Sequence, residues 1–394
     1  MKAVILAGGR GERIRPISDT LPKALVPIEG KPILAHQIEQ LERIGAQEVF
    51  ILTGYLAQSI ASYCKKLNTS IRIHCIESRS DATPAQRILN SYKDIGDEFL
   101  LIYCDNFIVS DSEIESVLKN KADITFLVQS REIGNVKLNS NHQAFYNSGK
   151  RSSEYESVEL GNISIKTHKF MLSLQKTQDL PKTLEQLSEE LVCSAVVSDS
   201  FINSISNFEI YVENLKGRKI VLLDRDGILI EKMPHQKYLS NIKDYKPIYE
   251  NWESLKEVSK LGVDFLIATN QPGVATGEVS EEFLTELHIK LVSDLLNYGI
   301  NILSVYICKH HWDENCNCRK PKPGMLLEAM QAFAIDSAST LYVGDELKDS
   351  IAASSAGIDY VIINKELTGK FIFDNLAQAI PIIKSKVHKI ELDS

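Results

Sequence analysis

The 394-residue chain contains no run of about 20 apolar residues, the length a helix needs to cross a bilayer, so no membrane span is expected. It also lacks an excess of positive charge. Its 44 Lys and Arg stand against 52 Asp and Glu, and a net charge of -8 with a pI near 5.7 argues against a nucleic-acid-binding surface. Met1-Lys2 leads straight into Ala3-Val4-Ile5-Leu6, too short for the apolar core of a secretory signal, and none is expected. Cysteine is sparse: three of the seven fall in the run Cys308–Cys318, while Cys64, Cys75, Cys104 and Cys193 are scattered among apolar neighbours. An odd, scattered set excludes a disulfide framework and suits reduced thiols, so a cytoplasmic location is expected. There is no internal repeat and no low-complexity tract. With 44% apolar and 24% charged residues, the chain reads as a soluble globular protein long enough for two domains with full cores.

Ile220-Val221-Leu222-Leu223 is an apolar run of strand length that ends in Asp224-Arg225-Asp226-Gly227. Residues two apart on a strand share a face, so Asp224 and Asp226 can converge at its carboxyl end, where open parallel sheets keep their ligands. Alone, the pattern is equally a strand followed by an acidic turn. It is followed, however, by a second buried-strand run, Val263–Ala268, ending in Thr269-Asn270-Gln271 and the turn Pro272–Gly277. Hydroxyl, amide and backbone N–H groups at a strand tip suit a phosphate cradle. Arg319-Lys320-Pro321-Lys322-Pro323-Gly324 then puts cations just before a predicted helix near Met325. Leu341-Tyr342-Val343-Gly344-Asp345 repeats the strand-then-carboxylate pattern, with Asp349 one helical turn on. Several carboxylates beside Lys and Arg suit Mg²⁺ held against a phosphate, because that ion prefers hard oxygen ligands.

In this order the motifs resemble, over residues 218–365, the haloacid dehalogenase superfamily of phosphatases. Within it they are similar to the D-glycero-D-manno-heptose 1,7-bisphosphate phosphatases and the related histidinol phosphatases. The resemblance implies Asp224 as a nucleophile that becomes an aspartyl phosphate and Asp226 as general acid/base. It implies Thr269 and Lys320 on the transferring phosphoryl group, and Asn270, Gln271 and Arg319 on the substrate. Mg²⁺ would be held by Asp224, Asp345 and the backbone carbonyl of Asp226. Ile228 stands where the family usually has Thr, and Glu346 where it often has Lys.

The run Cys308-Lys309-His310-His311-Trp312-Asp313-Glu314-Asn315-Cys316-Asn317-Cys318 sets a C-x-H pair against a C-x-C pair across a short polar loop. Cys308, His310, Cys316 and Cys318 supply the four donors of a closed tetrahedral Zn²⁺ site, with His311 outside it. The loop runs directly into Arg319 and Lys320, so a structural zinc would hold those cations in place. The resembled phosphatases carry the same ligand pattern.

At the N-terminus, Ala7-Gly8-Gly9-Arg10-Gly11-Glu12-Arg13 follows the first strand, and Leu21-Pro22-Lys23 lies ten residues on. Glycines let backbone N–H groups approach an anion, and arginines add charge-assisted contacts. The whole pattern through Gly30-Lys31-Pro32 resembles the sugar-phosphate nucleotidyltransferases, which implies that Gly8 and Gly9 grip a nucleoside triphosphate, Arg13 contacts its phosphates and Lys23 offsets charge developing during attack. It further implies Asp105 as a Mg²⁺ ligand and Lys150 and Glu159 at the sugar. The segment 81–86, where the family receives the base, contains no glycine, and Asn203-Ser204 occupy the place of a second metal-binding aspartate.

The expected architecture is α/β with two doubly wound domains: a nucleotidyltransferase-like Rossmann-type domain over 1–215 and a haloacid dehalogenase-like Rossmannoid domain with a zinc loop over 218–394, joined by the short polar segment Lys216–Lys219. The two resemblances imply a Mg²⁺- and Zn²⁺-containing enzyme for sugar phosphates and NTP: a phosphatase yielding heptose 1-phosphate, and a transferase converting that product with NTP, GTP by resemblance, to NDP-heptose. A histidinol-phosphatase-like enzyme, or a phosphatase with a nucleotide-binding regulatory domain, are the alternatives.

Overall fold

The computed structural model describes residues 1–107, 110–199, 203–215, 219–234 and 237–388; the expected inter-domain segment 216–218 lies outside the described residues. The chain forms two compact units, one of Met1–Ile14, Pro22–Val26 and Pro32–Asn207, the other of Arg15–Leu21, Pro27–Lys31 and Phe208–Ser394. No helix among the described residues is long and apolar enough to cross a membrane.

In the first unit the strand Lys2–Ala7 is apolar on both faces and therefore central. Glu98–Tyr103 and Glu48–Thr53 pair with it in parallel on either side, and Arg72–Glu77 extends the sheet in parallel to an exposed edge. Beyond Glu98–Tyr103 the pattern changes. The long strand Ser157–Lys166 runs antiparallel both to it and to Ile124–Ser130, so the nine-stranded sheet is mixed. The turn after Lys2–Ala7 and the ends of Glu48–Thr53 and Glu98–Tyr103 lie at one end of the parallel half, the end where such sheets keep ligands. The helix Pro84–Asn90 begins there, with Thr83 and Gln86 forming a reciprocal capping box at its start.

The second unit carries a six-stranded, wholly parallel sheet. Its order is Ile302–Cys308, Val263–Asn270, Lys219–Leu223, Thr340–Gly344, Asp359–Ile363, Ile372–Phe373, so the first strand in sequence is internal. Chain order reverses between Lys219–Leu223 and Thr340–Gly344. That reversal leaves a crevice at the carboxyl ends of these two strands, from which Asp224 and Asp345 emerge. Ile220–Leu223 and Leu341–Val343 are almost wholly buried, as strands covered by helices on both faces must be.

Candidate active sites

In the second unit Lys320 lies at the centre of the crevice. Its side chain is wholly buried, and its ammonium lies 3.0 Å from Asp224 Oδ2 and 2.8 Å from Asp349 Oδ1. It also donates to Ala268 O (2.9 Å) and Tyr342 Oη (2.6 Å). Burial works against the charge on Lys320, but Asp224 and Asp349 outweigh it and hold the ammonium proton more tightly than usual. Asn270 holds this lysine in place by a reciprocal pair: its Nδ2 donates to Lys320 O (2.9 Å) and its Oδ1 accepts from Lys320 N (3.1 Å). Both of those side-chain groups are thereby used on the loop that carries the cation.

Asp226 sits beside this cluster, bidentate with Arg225 Nη2 at 2.9 Å to each oxygen. Gln271 Nε2 donates to Asp226 Oδ2 (2.7 Å) and to Thr269 Oγ1 (2.9 Å), linking the two strand tips. Arg225 is itself buried and meets Nε2 of the buried His288 at 3.1 Å. Burial, reinforced by Arg225, pushes His288 well below its ordinary range, so the ring is neutral. Nη1 of Arg319 is buried and finds no hydrogen-bond partner among the described residues, leaving a donor for an anion.

Oxygens of Asp224, Asp345 and Asp349 lie within 4.8 Å of one another. Burial pushes Asp224 up to about 6, with Lys320 opposing, and pushes Asp345 up to about 7, with Lys232 opposing. Asp345 Oδ1 is buried and finds no hydrogen-bond partner among the described residues. Crowded buried carboxylates with an orphan oxygen are the donor set a hard divalent cation requires, and the residues fit Mg²⁺. Ile228 is fully buried and presents no polar group here. Glu346 pairs with Lys232 and, at 2.5 Å, with Lys348; Lys232 also reaches Asp345 Oδ2 at 2.6 Å. A cation therefore stands at this rim even though position 346 itself is acidic.

The loop after Ile302–Cys308 brings Cys308, His310, Cys316 and Cys318 together. Cys308 Sγ lies 3.7 Å from Cys316 Sγ and from His310 Nδ1, Cys318 Sγ is 3.6 Å from Cys316 Sγ, and His310 Nδ1 is 3.2 Å from Cys318 Sγ. Tetrahedral ligands with Zn–S of about 2.3 Å and Zn–N of about 2.0 Å are separated by roughly 3.5–3.8 Å, so the donor set fits zinc. His311 is outside the cluster; it accepts from Asp313 N, and its ring lies tilted against that of Trp312.

In the first unit an open cleft of about 2040 Å³ is lined by Arg13, Asp105 and Glu159 among others. Lys23 Nζ meets Asp105 Oδ2 at 2.8 Å beside it. Burial pushes Glu159 up to about 7, against a hydrogen bond from Gly161 N. Lys150 is exposed and not among the lining residues, whereas its neighbour Arg151 is, together with Arg131. Gly9 faces open space, but Gly8 faces the buried side chain of Arg87, which the spacing of motifs did not single out. Asn203-Ser204 pair antiparallel with Asn106-Phe107, and Ile205 N donates to Asp105 O (3.1 Å), which brings this segment's backbone beside Asp105; the Asn203 and Ser204 side chains lie outside the described residues.

A Rossmann-order sheet with converging carboxylates and a buried lysine at its switch point defines a phosphate-handling enzyme. The Polynucleotide kinase 3 phosphatase family model matches residues 219–364, and the Nucleotidyl transferase family model matches residues 2–132. The D-glycero-beta-D-manno-heptose-1,7-bisphosphate 7-phosphatase of Pasteurella multocida is 34% identical over 175 residues, 43% of this chain and 92% of that protein. The D-glycero-alpha-D-manno-heptose-1,7-bisphosphate 7-phosphatase of Photorhabdus laumondii is 35% identical over 147 residues, 36% of this chain and 79% of that protein. A crystal structure of HddC from Yersinia pseudotuberculosis aligns with 54% of this chain and 97% of its own, at 21% identity and a TM-score of 0.44. The chain belongs to the heptose-1,7-bisphosphate 7-phosphatase family and carries an additional nucleotidyl transferase region.

Proposed function

We propose that this enzyme removes the 7-phosphate of D-glycero-D-manno-heptose 1,7-bisphosphate and passes the resulting heptose 1-phosphate to a nucleotidyltransferase on the same chain. The transferase would join it to NTP, GTP by resemblance, releasing pyrophosphate and NDP-heptose. In this reading each activity has its own domain, 1–215 for transfer and 218–394 for hydrolysis. The observation that carries the phosphatase half is the buried Lys320 ammonium held between Asp224 and Asp349.

An Asp224 oxygen attacks the phosphorus, the bond to the sugar oxygen breaks, and an aspartyl phosphate forms. Lys320 and Thr269 bind the phosphoryl oxygens, and Arg319 offers its free donor to substrate phosphate. Asp226 delivers a proton to the leaving sugar oxygen and then takes one from the water that hydrolyses the intermediate; to do so it must turn from Arg225, its partner in the resting arrangement. Mg²⁺, held by Asp224, Asp345 and the Asp226 backbone carbonyl, would offset negative charge between nucleophile and phosphate. Zinc on Cys308, His310, Cys316 and Cys318 would fix the loop that ends in Lys320. In the transferase half, Gly8, Gly9 and Arg13 would hold the triphosphate, Lys23 and Asp105 the reacting phosphates with Mg²⁺, and Glu159 the sugar, with Arg151 rather than the expected Lys150 lining the cleft. A cytoplasmic site of action belongs to this reading, supported by cysteines that are all unpaired.

The test is product analysis: heptose 1,7-bisphosphate with Mg²⁺ should give phosphate and heptose 1-phosphate, and adding NTP should give NDP-heptose with pyrophosphate. Phosphate release from histidinol phosphate but not from the heptose bisphosphate would overturn the assignment.

A further inference from the structure

Arg87 is only 4% exposed, and among the described residues its side chain hydrogen-bonds only to backbone carbonyls. Its Nε faces Thr53 O at 3.4 Å, Nη1 donates to Ala82 O, and Nη2 donates to Gly8 O at 2.9 Å, Arg79 O at 3.1 Å and Ser80 O at 3.3 Å. Three separate pieces of chain meet on one guanidinium: the glycine turn after the first strand, the end of Glu48–Thr53, and the segment 79–82. Among the described residues no carboxylate pairs with it; the nearby Asp81 is engaged by Arg79. Carbonyl dipoles satisfy the N–H groups, and the Asp81 charge that acts on Arg87 is shared with Arg79, so a net positive charge remains here, and buried charge acts more strongly than charge in water.

Two glycines leave room for this arginine. A Cβ on Gly8 would stand 2.1 Å from Arg87 Nε, and one on Gly54 would stand 2.4 Å from Nη2 and 2.8 Å from the Gly8 carbonyl oxygen. Gly9 is different, since a Cβ there would meet nothing within 4 Å. The Gly8 carbonyl also accepts from Tyr55 N at 3.1 Å, so it is doubly anchored on the inner side. In a trans peptide the next N–H points the opposite way, which turns Gly9 N–H toward the open side. An N–H presented to an open face, with a net positive charge behind it, is an anion cradle with a fixed floor.

We propose that Arg87 is a positioning residue for the nucleotide site. It holds the Gly8-Gly9 turn and the 79–82 segment in one arrangement, and it gives the turn a positive charge that a bound polyphosphate neutralises. This rests on the reading of the first unit as nucleotide-binding, and the segment it braces is the one expected to receive the base. Because it lies behind the backbone, Arg87 acts on the ligand through the turn and through its field.

The experiment is calorimetry on the full chain with inorganic tripolyphosphate and with GTP, alongside melting with and without each probe. The variants are Arg87→Met, Arg87→Gln and Arg87→Lys, the last keeping the charge while losing the planar fork that reaches three segments. Arg87→Met should weaken both probes about tenfold or more, and Arg87→Lys should recover part of the loss. Arg87→Gln should weaken GTP as well, and the ligand-induced rise in melting temperature should shrink in step. A merely structural arginine would lower the ligand-free melting temperature yet leave Kd unchanged, and variants that bind both probes within twofold of wild type overturn the proposal. If Arg87→Met does not fold, Arg87→Gln, whose amide can still donate to a backbone carbonyl, decides by the same criterion. Wild-type protein that binds neither probe overturns the nucleotide reading itself, and the proposal with it.

Discussion

The Lys320 ammonium lies 3.0 Å from the Asp224 carboxylate, with both side chains almost completely buried. A buried pair of this kind costs desolvation on both sides, and its geometry is retained because each charge answers the other. Replacing Lys320 by Met leaves Asp224 and Asp349 facing each other without a counter-charge. The variant should lose phosphatase activity and about 3–5 kcal/mol of stability in this unit, read by urea denaturation. A variant as stable and as active as wild type would contradict the role given to the pair.

Asp224→Asn is the complementary change. It should preserve the fold and lower phosphate release by more than about a thousandfold, because an amide is a poor nucleophile. Trapping of labelled phosphoryl group on the wild-type protein, absent in Asp224→Asn, checks the intermediate directly. Activity within tenfold of wild type would remove Asp224 from the chemistry.

Protein prepared without chelators should contain about one zinc per chain by metal analysis, since four donors close one tetrahedral site. Changing Cys316 and Cys318 together to Ser should lose that zinc and lower the melting temperature of the phosphatase unit, because zinc binding is part of its folding free energy. Full-strength stability with no bound metal would mean the four donors stand together for another reason.

Glu159 gives a pH signature in the first unit. Burial raises its folded-state value from 4.5 to about 7, so its unfolded state releases the proton more readily. The neutral form is favoured in the folded protein, and the associated stability is present below pH 4.5 and lost as pH rises through 7. Wild type should therefore lose more stability than Glu159→Gln between pH 5 and pH 8, measured by urea denaturation at each pH. Equal losses would show that Glu159 titrates normally.

Much of this architecture is legible in the sequence where periodicity is strong. The apolar run Glu48–Thr53 is the observed strand. The helix Pro84–Asn90 ends where Ser91 turns its hydroxyl back to Arg87 O, and a second short helix begins at Tyr92. Asp224 and Asp345 follow apolar strands, Thr269 sits at the tip of one and Lys320 precedes a helix, all at the same sheet end, an order of motifs legible in the sequence. What spacing does not reveal is which partner a polar side chain selects. Asn270 braces Lys320 through its backbone, Lys232 supplies the rim cation that position 346 lacks, and Arg87 is satisfied by carbonyls distant in sequence. Lys150 and Arg151 differ by one position in an irregular loop, where no period says which side chain turns inward.

Lys23→Ala separates the two halves. Removing its charge beside Asp105 should lower NDP-heptose formation by about tenfold or more while phosphate release is unchanged, measured on the same preparation. A parallel fall in phosphate release would contradict separate sites.

The most direct measurement follows both products from one reaction containing D-glycero-D-manno-heptose 1,7-bisphosphate, Mg²⁺ and GTP. Phosphate should appear first, then pyrophosphate with NDP-heptose, and Asp224→Asn should abolish both while added heptose 1-phosphate restores the pyrophosphate alone. Pyrophosphate that never forms with any NTP, or that forms from the bisphosphate in Asp224→Asn as in wild type, contradicts the coupling of the two activities.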